Sequence, residues 1–233
     1  MPPIVPVFFG IILFFFVILG IYGYIAHDKY KIKSRELKAF ADQLGYQYVK
    51  KNSGSDNLAC YPASIFHIGH PRIATNLIKG NRDGLDVLLM DYRYDVGETD
   101  TELTLAAYKL PETGTPTFTM DHKFFLGKLF DKVIRKNVVH FHEHPDFSKS
   151  WLVKSENEVA VRQWLTPALI QLIEAGMVHQ DWHVDVAEGW LVIYTKRELV
   201  KTEMWQTFFD NTFIVAEKFF HSAKPFEMSC ADV

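Results

Sequence analysis

The stretch from Ile73 to Tyr94, IATNLIKGNRDGLDVLLMDYRY, decides the fold that we expect for this chain. Two apolar runs lie on either side of Gly80-Asn81-Arg82-Asp83-Gly84, and this arrangement predicts a β-hairpin. The second run, Leu85 to Met90, is apolar at nearly every position. Successive side chains of a strand point to opposite faces, so both faces of this strand should be buried and the strand should lie inside a sheet.

Other segments extend this pattern along the chain. We predict further strands at residues 46–49, 103–110, 117–120, 138–142, 150–154, 182–186 and 190–194. Helices are predicted at residues 28–44, 156–176 and 202–221, and residues 124–134 are ambiguous between a helix and an irregular segment. Thr166-Pro167 should break the second helix, with Thr166 capping its continuation. Helices grouped around short hairpin connections predict an α+β fold with a mainly antiparallel sheet.

An uncharged apolar run, Ile4 to Ala26, precedes these elements. A bilayer core about 30 Å thick is spanned by roughly 20 apolar helical residues, so the run predicts a transmembrane anchor. A cleaved signal peptide is disfavoured, because no basic residue precedes the run and its apolar core is too long. Lys29, Lys31, Lys33 and Arg35 follow the run. The positive-inside rule then predicts a single-pass inner-membrane protein with its C-terminal domain in the cytoplasm.

The predicted organisation therefore has four parts. We expect a transmembrane anchor at residues 1–27, a juxtamembrane helix and short strand at 28–52, an α+β domain at 53–223 and a flexible tail at 224–233. Within the domain, Trp164 and Leu165 should be buried where the broken helix meets the sheet.

Composition limits the partners that can be expected. The chain has 25 Lys and Arg against 28 Asp and Glu, a formal charge of -3, and shows no basic stripe for nucleic acid. The expected partners are the lipid bilayer and a membrane or cytoplasmic protein. Cys60 and Cys230 should remain thiols in a cytoplasmic domain. No cofactor motif is present in the sequence, so no cofactor is predicted.

Several segments resemble a known group of proteins. The segments are Arg72 to Gly80, Met90 to Tyr94, Trp151 to Glu158 and Trp164 to Leu169. Together with the N-terminal apolar run, they are similar to uncharacterised bacterial single-pass membrane proteins that carry a domain of unknown function with a Leu-Thr-Pro helix step. The resemblance covers about residues 35–220. It implies a fold and a membrane location, and it implies no activity.

Three histidines form the clearest candidate for a metal site. His140, His142 and His144 alternate along a predicted strand, where every second side chain lies on the same face. Their imidazoles could converge on Zn²⁺ or another transition metal. The competing interpretation is a solvated polar strand face, which Pro145 directly after His144 favours.

Two further sets of polar residues are candidates for a functional role. His122 beside Asp121, and His183 near Asp181 and Asp185, could be functional or could be ordinary hydrogen-bonded surface histidines. Asp91 and Arg93 share a strand face. They could form a site for an anion or carboxylate, or belong to a cross-strand ion pair.

No catalytic constellation emerges from the sequence, so whether the chain is an enzyme stays open. The leading hypothesis is a membrane-anchored, non-enzymatic domain for protein interaction or scaffolding. One alternative is a metal-dependent hydrolase that uses His140, His142 and His144. Another is a sensor of a small ligand or a lipid headgroup, with the basic segment after the apolar run near anionic lipid.

Overall fold

A nine-stranded antiparallel sheet with flanking helices is the centre of the fold, as a computed structural model of the chain shows. The structure describes residues 4–52, 58–111, 114–123, 137–196 and 198–223. The strands are ordered β1-β2-β3-β4-β9-β8-β5-β7-β6 across the sheet, and every neighbouring pair is antiparallel. The predicted α+β class with a mainly antiparallel sheet is confirmed.

The elements follow one another in a simple order along the chain. The strands are β1 (Gln47–Asn52), β2 (Arg72–Arg82), β3 (Leu85–Val96), β4 (Thr99–Lys109), β5 (Phe118–His122), β6 (Val138–Val139), β7 (Trp151–Lys154), β8 (Trp182–Ala187) and β9 (Trp190–Thr195). The α-helices are α1 (Ile4–Leu44), α2 (Pro145–Ser150), α3 (Glu158–Trp164), α4 (Pro167–Glu174) and α5 (Trp205–Ala223). Short 3₁₀ helices span Leu58–Cys60, Ser64–His67 and Thr202–Met204.

The β2–β3 hairpin forms where the sequence predicts it, with a tighter turn. Arg82 pairs with Leu85, so only Asp83 and Gly84 connect the strands. Both residues have positive φ, at 50° and 87°, as a two-residue hairpin turn whose twist matches its strands requires. Strand β3 pairs with β2 on one side and β4 on the other, which confirms its predicted interior position.

Both faces of the sheet are covered, and each carries its own apolar core. On one face, Leu85, Val87 and Leu89 pack with the helices. On the other face, Leu88, Met90 and Tyr92 pack under the segment that contains the 3₁₀ helix Ser64–His67. The apolar run from Leu85 to Met90 is explained by this arrangement, since alternate side chains enter opposite cores.

Helix α1 is continuous over 41 residues and has two different halves. In the C-terminal half, Ser34, Leu37 and Ala41 are buried against the sheet and the helical layer. All of the residues from 14 to 24 are exposed. The domain boundary predicted at residue 27 therefore falls within one uninterrupted helix.

The predicted transmembrane anchor is wrong for the described part of the chain. Among those residues, no helix is long and apolar enough to cross a membrane. Charged residues follow in the same helix from Asp28 onward. The same finding contradicts the predicted single-pass inner-membrane localisation. The predicted placement of the C-terminal domain on the cytoplasmic side of that membrane loses its basis as well.

The break in the predicted second long helix is confirmed. Helix α3 ends at Trp164, and α4 begins at Pro167. The Thr166 hydroxyl oxygen accepts a hydrogen bond from the Leu169 backbone N–H at 3.3 Å, as expected for an N-cap. Trp164 and Leu165 are both buried, as predicted, and the Trp164 ring lies edge-on to Phe118 and Phe219.

Other predicted elements differ from the structure or lie outside it. Strand β6 is limited to two residues, and the predicted loop at Pro145 is helix α2, with Pro145 in the first helical turn where its missing N–H costs nothing. The ambiguous segment 124–134 and the tail 224–233 lie outside the described residues.

Candidate functional site

A buried carboxylate, Asp91, is at the centre of the most extensive polar network among the described residues. It lies in the middle of β3 and is 5% exposed. Asn76 of β2 donates its side-chain N–H to Asp91 Oδ2 at 2.9 Å, and the Thr104 hydroxyl of β4 donates to Oδ1 at 2.9 Å. The carboxylate is thus held from both neighbouring strands. Hydrogen bonds of this kind offset the free-energy cost of burying a charged group.

The same carboxylate connects the sheet to helix α1. Lys33 Nζ lies 2.8 Å from Asp91 Oδ2. The next residue, Ser34, donates its hydroxyl to Asn76 Oδ1 at 3.1 Å, and Tyr48 donates to the same oxygen at 2.8 Å. The side chains of Asp91 and Asn76 therefore make their polar contacts within the protein, and these contacts hold α1 on the sheet instead of binding a ligand.

Arg93 does not join this network. Its guanidinium Nη2 lies 2.6 Å from Asp100 Oδ2 on β4, and both side chains are about half exposed. Asp91 and Arg93 therefore serve different partners. Of the two interpretations drawn from the sequence, the cross-strand ion pair describes Arg93, whereas Asp91 pairs with a helix.

The three candidate metal ligands follow β6 rather than lying on it. His140 and His142 are exposed, with ring centroids 6.4 Å apart, and His144 directly precedes helix α2. The metal hypothesis assumed that the three side chains alternate along a strand and share one face. Because the strand ends at Val139, strand geometry does not place them on a common face. Within the described ranges, no group of three His, Cys, Asp or Glu side chains is arranged to hold a metal ion. A zinc site at these histidines stays a prediction.

A second polar cluster forms around Asp121 of β5. His183 Nδ1 lies 2.6 Å from Asp121 Oδ1, and Lys196 Nζ lies 3.3 Å from the same oxygen. The partner of His183 is therefore Asp121, and not Asp181 or Asp185, the two aspartates that lie near it in the sequence. The neighbouring His122 packs its ring edge-on against Trp151 instead.

The electrostatics of this cluster favour the ionised carboxylate. Burial by itself would raise the pKa of the Asp121 carboxyl. The hydrogen bond and positive charge of His183, together with Lys196, outweigh that cost and lower the pKa below its ordinary value. Burial and the nearby Lys196 also lower the pKa of the His122 imidazole, against the opposing effect of Asp181.

Asp185, two residues beyond His183 on the same strand face, has a structural role. It is 2% exposed, and its Oδ2 accepts hydrogen bonds from the backbone N–H and the hydroxyl of Ser64 at 2.6 and 2.5 Å. This pair fastens the 3₁₀ helix Ser64–His67 to the sheet. The serine hydroxyl and the carboxylate, two groups that are common in hydrolytic sites, are thus used to hold this 3₁₀ helix in place.

The described residues form clefts that are open to solvent, and two of them are large enough for a small ligand. A cleft of about 620 Å³ lies beside α2 and α4, and is lined in part by His122, Trp151 and His179. A second cleft of about 430 Å³ is lined by Cys60, Pro62, Lys109, Glu188 and Trp190. Of the residues that line these clefts, the sequence analysis named only His122 as a candidate functional residue, since the linings come from segments far apart in the chain.

The exposed apolar part of α1 departs from the composition of an ordinary protein surface. Phe14, Phe15 and Phe16 are 62–67% exposed. The neighbouring large apolar side chains are similarly exposed: Val17, Ile18, Leu19, Ile21, Tyr22 and Tyr24. We call residues 14–24 the apolar segment. Contiguous exposed apolar surface of this kind marks a site where another molecule binds.

Comparisons with known proteins give a likeness of fold only. No protein-family model matches the chain, and no curated protein matches it. Among solved structures, the chain is similar to the mycobacterial trehalose monomycolate transport factor A, TtfA, with a TM-score of 0.58 and 13% sequence identity. The match covers 83% of this chain and 97% of that one. At this identity, the similarity shows a shared fold alone and gives no information about function.

Proposed function

We propose that this chain is a non-enzymatic protein-interaction domain, and that the apolar segment of α1 is the surface that its partner covers. One observation carries the proposal. Every residue from 14 to 24 is exposed, in a protein whose other helices bury an apolar face. Leaving this surface in water costs roughly 25 cal/mol per Å² of apolar area, which a partner would recover.

The distribution of apolar residues indicates what kind of partner fits. Phe14, Phe15 and Phe16 are consecutive, so they project about 100° apart around the helix. A helix that is apolar on all sides is stable when it is surrounded. A second copy lying alongside would cover one side only. The partner is therefore a different protein, with a groove or a set of helices that encloses the segment.

The remainder of the domain supports a scaffold role. The contacts of Lys33 and Ser34 fasten α1 to strands β3 and β2, so the apolar segment extends from a firmly attached helix. The structural neighbour is described as a transport factor. That description agrees with an accessory role, although the proposal does not depend on it.

The experiment places a photocrosslinking amino acid in the full chain. We expect p-benzoylphenylalanine at Phe15 to give an adduct with one protein, and the same probe at Glu36, an exposed position on the same helix, to give none. The identified protein should then bind the purified chain in a fixed ratio, and F14S/F15S/F16S should abolish binding. Equal adducts at both positions, or adducts with phospholipid alone, would contradict the proposal.

Metal analysis separates this proposal from the hydrolase alternative. We expect the purified protein to hold no stoichiometric zinc. If zinc is present at one equivalent and disappears in the H140A/H142A variant, the alternative is favoured instead.

A further inference from the structure

Strand β1 forms one edge of the sheet, and among the described residues no strand pairs with its outer side. It is six residues long, whereas β6 at the opposite edge has two residues. The outer side of an edge strand presents backbone N–H and C=O groups, and an extended segment of another chain can pair with them. Of the two edges, β1 therefore offers the longer ladder to a partner.

Both faces of β1 are held by the protein itself. Tyr48 packs against the core on the helix side of the sheet, and its hydroxyl donates to Asn76 Oδ1 at 2.8 Å. The next residue, Val49, packs against the core on the other face. Backbone pairing with β2, from Gln47 onward, fixes the inner side of the strand. The strand is thus already in the conformation that an added strand requires, which reduces the entropy cost of binding.

Two exposed lysines, Lys50 and Lys51, lie in the C-terminal half of β1. Because they are consecutive in a strand, they project to opposite faces of the sheet. Lys50 Nζ lies 5.5 Å from the centre of the Tyr30 ring of α1, and this contact positions the ammonium group beside the strand. Lysines on an edge strand disfavour pairing with an uncharged strand.

A second copy of this chain is a poor partner for the same edge. The sequence of β1, QYVKKN, contains no Asp or Glu. Two copies of β1 side by side would bring four ammonium groups into one short ladder that contains no carboxylate. Like charges on neighbouring strands destabilise their pairing, whereas opposite charges stabilise it. The charge of β1 therefore selects a partner strand that is acidic.

We propose that β1 binds an extended acidic segment of another protein as an additional antiparallel strand. Two consecutive acidic residues of that segment lie opposite Lys50 and Lys51, one on each face, and its backbone pairs with the outer side of β1. All described neighbouring strands of the sheet are antiparallel, and the added strand continues this arrangement. The site lies on β1 and not on residues 14–24, so it does not depend on the partner of the apolar segment.

The first test compares three synthetic peptides by titration calorimetry with the full chain. The acidic peptide is acetyl-Thr-Glu-Glu-Val-Thr-Val-Thr-amide, in which the two glutamates face the two lysines in an antiparallel alignment. The second peptide has lysines in place of the glutamates. The third has two prolines in place of the central Val-Thr, because alternate N–H groups point toward β1 and consecutive prolines remove at least one of them.

We expect the acidic peptide to bind at one site and the other two to bind about tenfold more weakly. No saturable binding of the acidic peptide at millimolar concentration would overturn the proposal. Equal binding of the three peptides would overturn it as well, since neither charge nor backbone pairing would then determine recognition.

Hydrogen exchange of the full chain locates the bound peptide. A strand added to β1 protects backbone amides on the outer side of that strand, so we expect saturating acidic peptide to slow exchange within residues 47–51 several-fold. Exchange within β6, at the other edge, should not change. Protection at β6, or unaltered exchange in β1 when the peptide is bound, would contradict the proposed site.

Variants of the two lysines complete the test. K50M/K51M should weaken binding of the acidic peptide about tenfold, whereas K149M/K201M, which removes two exposed lysines outside β1, should leave it unchanged. K50E/K51E should bind the lysine peptide more tightly than the acidic one. Such a reversal cannot arise from unfolding of the variant, and an unreversed preference in K50E/K51E would refute the role of these lysines.

Discussion

Lys33 Nζ lies 2.8 Å from Asp91 Oδ2, so a lysine on helix α1 pairs with a carboxylate in the middle of the sheet. Their side chains are 19% and 6% exposed. The pair joins two elements that are 58 residues apart in the chain, and it lies next to the Ser34–Asn76 hydrogen bond. It is one of the contacts that attach helix α1, which carries the apolar segment, to the sheet.

Removing the lysine should leave an uncompensated buried charge. We expect K33M to lower the free energy of unfolding by about 3 kcal/mol, at the low end for a buried pair because Lys33 keeps some exposure. K38M, which breaks the exposed Lys38–Asp42 pair, should cost less than about 1 kcal/mol. K33M/D91N should recover part of the loss, since it removes the stranded charge. Urea denaturation measures all three, and equal losses in K33M and K38M would refute a structural role for the pair.

Trp164 should contribute strongly to stability. Its ring centroid lies 5.5 Å from that of Phe118 and 5.1 Å from that of Phe219, so W164A leaves a cavity between β5 and α5. We expect W164A to cost about 3–5 kcal/mol in the free energy of unfolding. W164F, which keeps an aromatic ring, should cost much less. If thermal unfolding of W164A matched the wild type, the packing described for this residue would be incorrect.

Gly80 should tolerate no side chain. A Cβ at this position would overlap the ring of Tyr46, which in turn packs edge-on against Phe209. We expect G80A to destabilise the protein by about 1–3 kcal/mol through overpacking. Gly20 has open space around its Cβ position and provides the control, G20A. In the G80A/Y46A double variant, the cost of G80A should largely disappear, and simple additivity of the two changes would argue against the steric explanation.

Asp121 should make the stability depend on acidity. The pKa of its carboxyl is lower in the folded protein than its ordinary value near about 3.9. Its contribution is therefore fully present above that ordinary value and is lost as the pH falls through the folded pKa. We expect D121N to destabilise the protein at pH 7, and the difference from the wild type to shrink below about pH 4. D42N, at an exposed carboxylate, should show little pH dependence, and a difference that grows in acid would contradict the assignment.

Local patterns of the sequence were sufficient for the β2–β3 hairpin and for the break between α3 and α4. The β2–β3 hairpin follows from an apolar run beside Asp83-Gly84, and the α3–α4 break follows from Thr166-Pro167. In each case the physical cause lies within a few residues: a positive φ at a turn, or a proline without an N–H. The transmembrane anchor was also inferred from a local pattern, and it was wrong for the described part of α1.

The polar contacts depended on the tertiary structure alone. Asp91 was assigned to a strand face from its sequence position, but its partner Lys33 is brought there by the packing of α1. His183 pairs with Asp121, 62 residues away, rather than with the aspartates beside it, because β5 and β8 are neighbours in the sheet. The cleft of Lys109, Glu188 and Trp190 likewise exists because β4 lies next to β9. Periodicity within a segment determines which face of a strand is buried, whereas the order of strands determines which side chains meet, and only the folded chain decides that order.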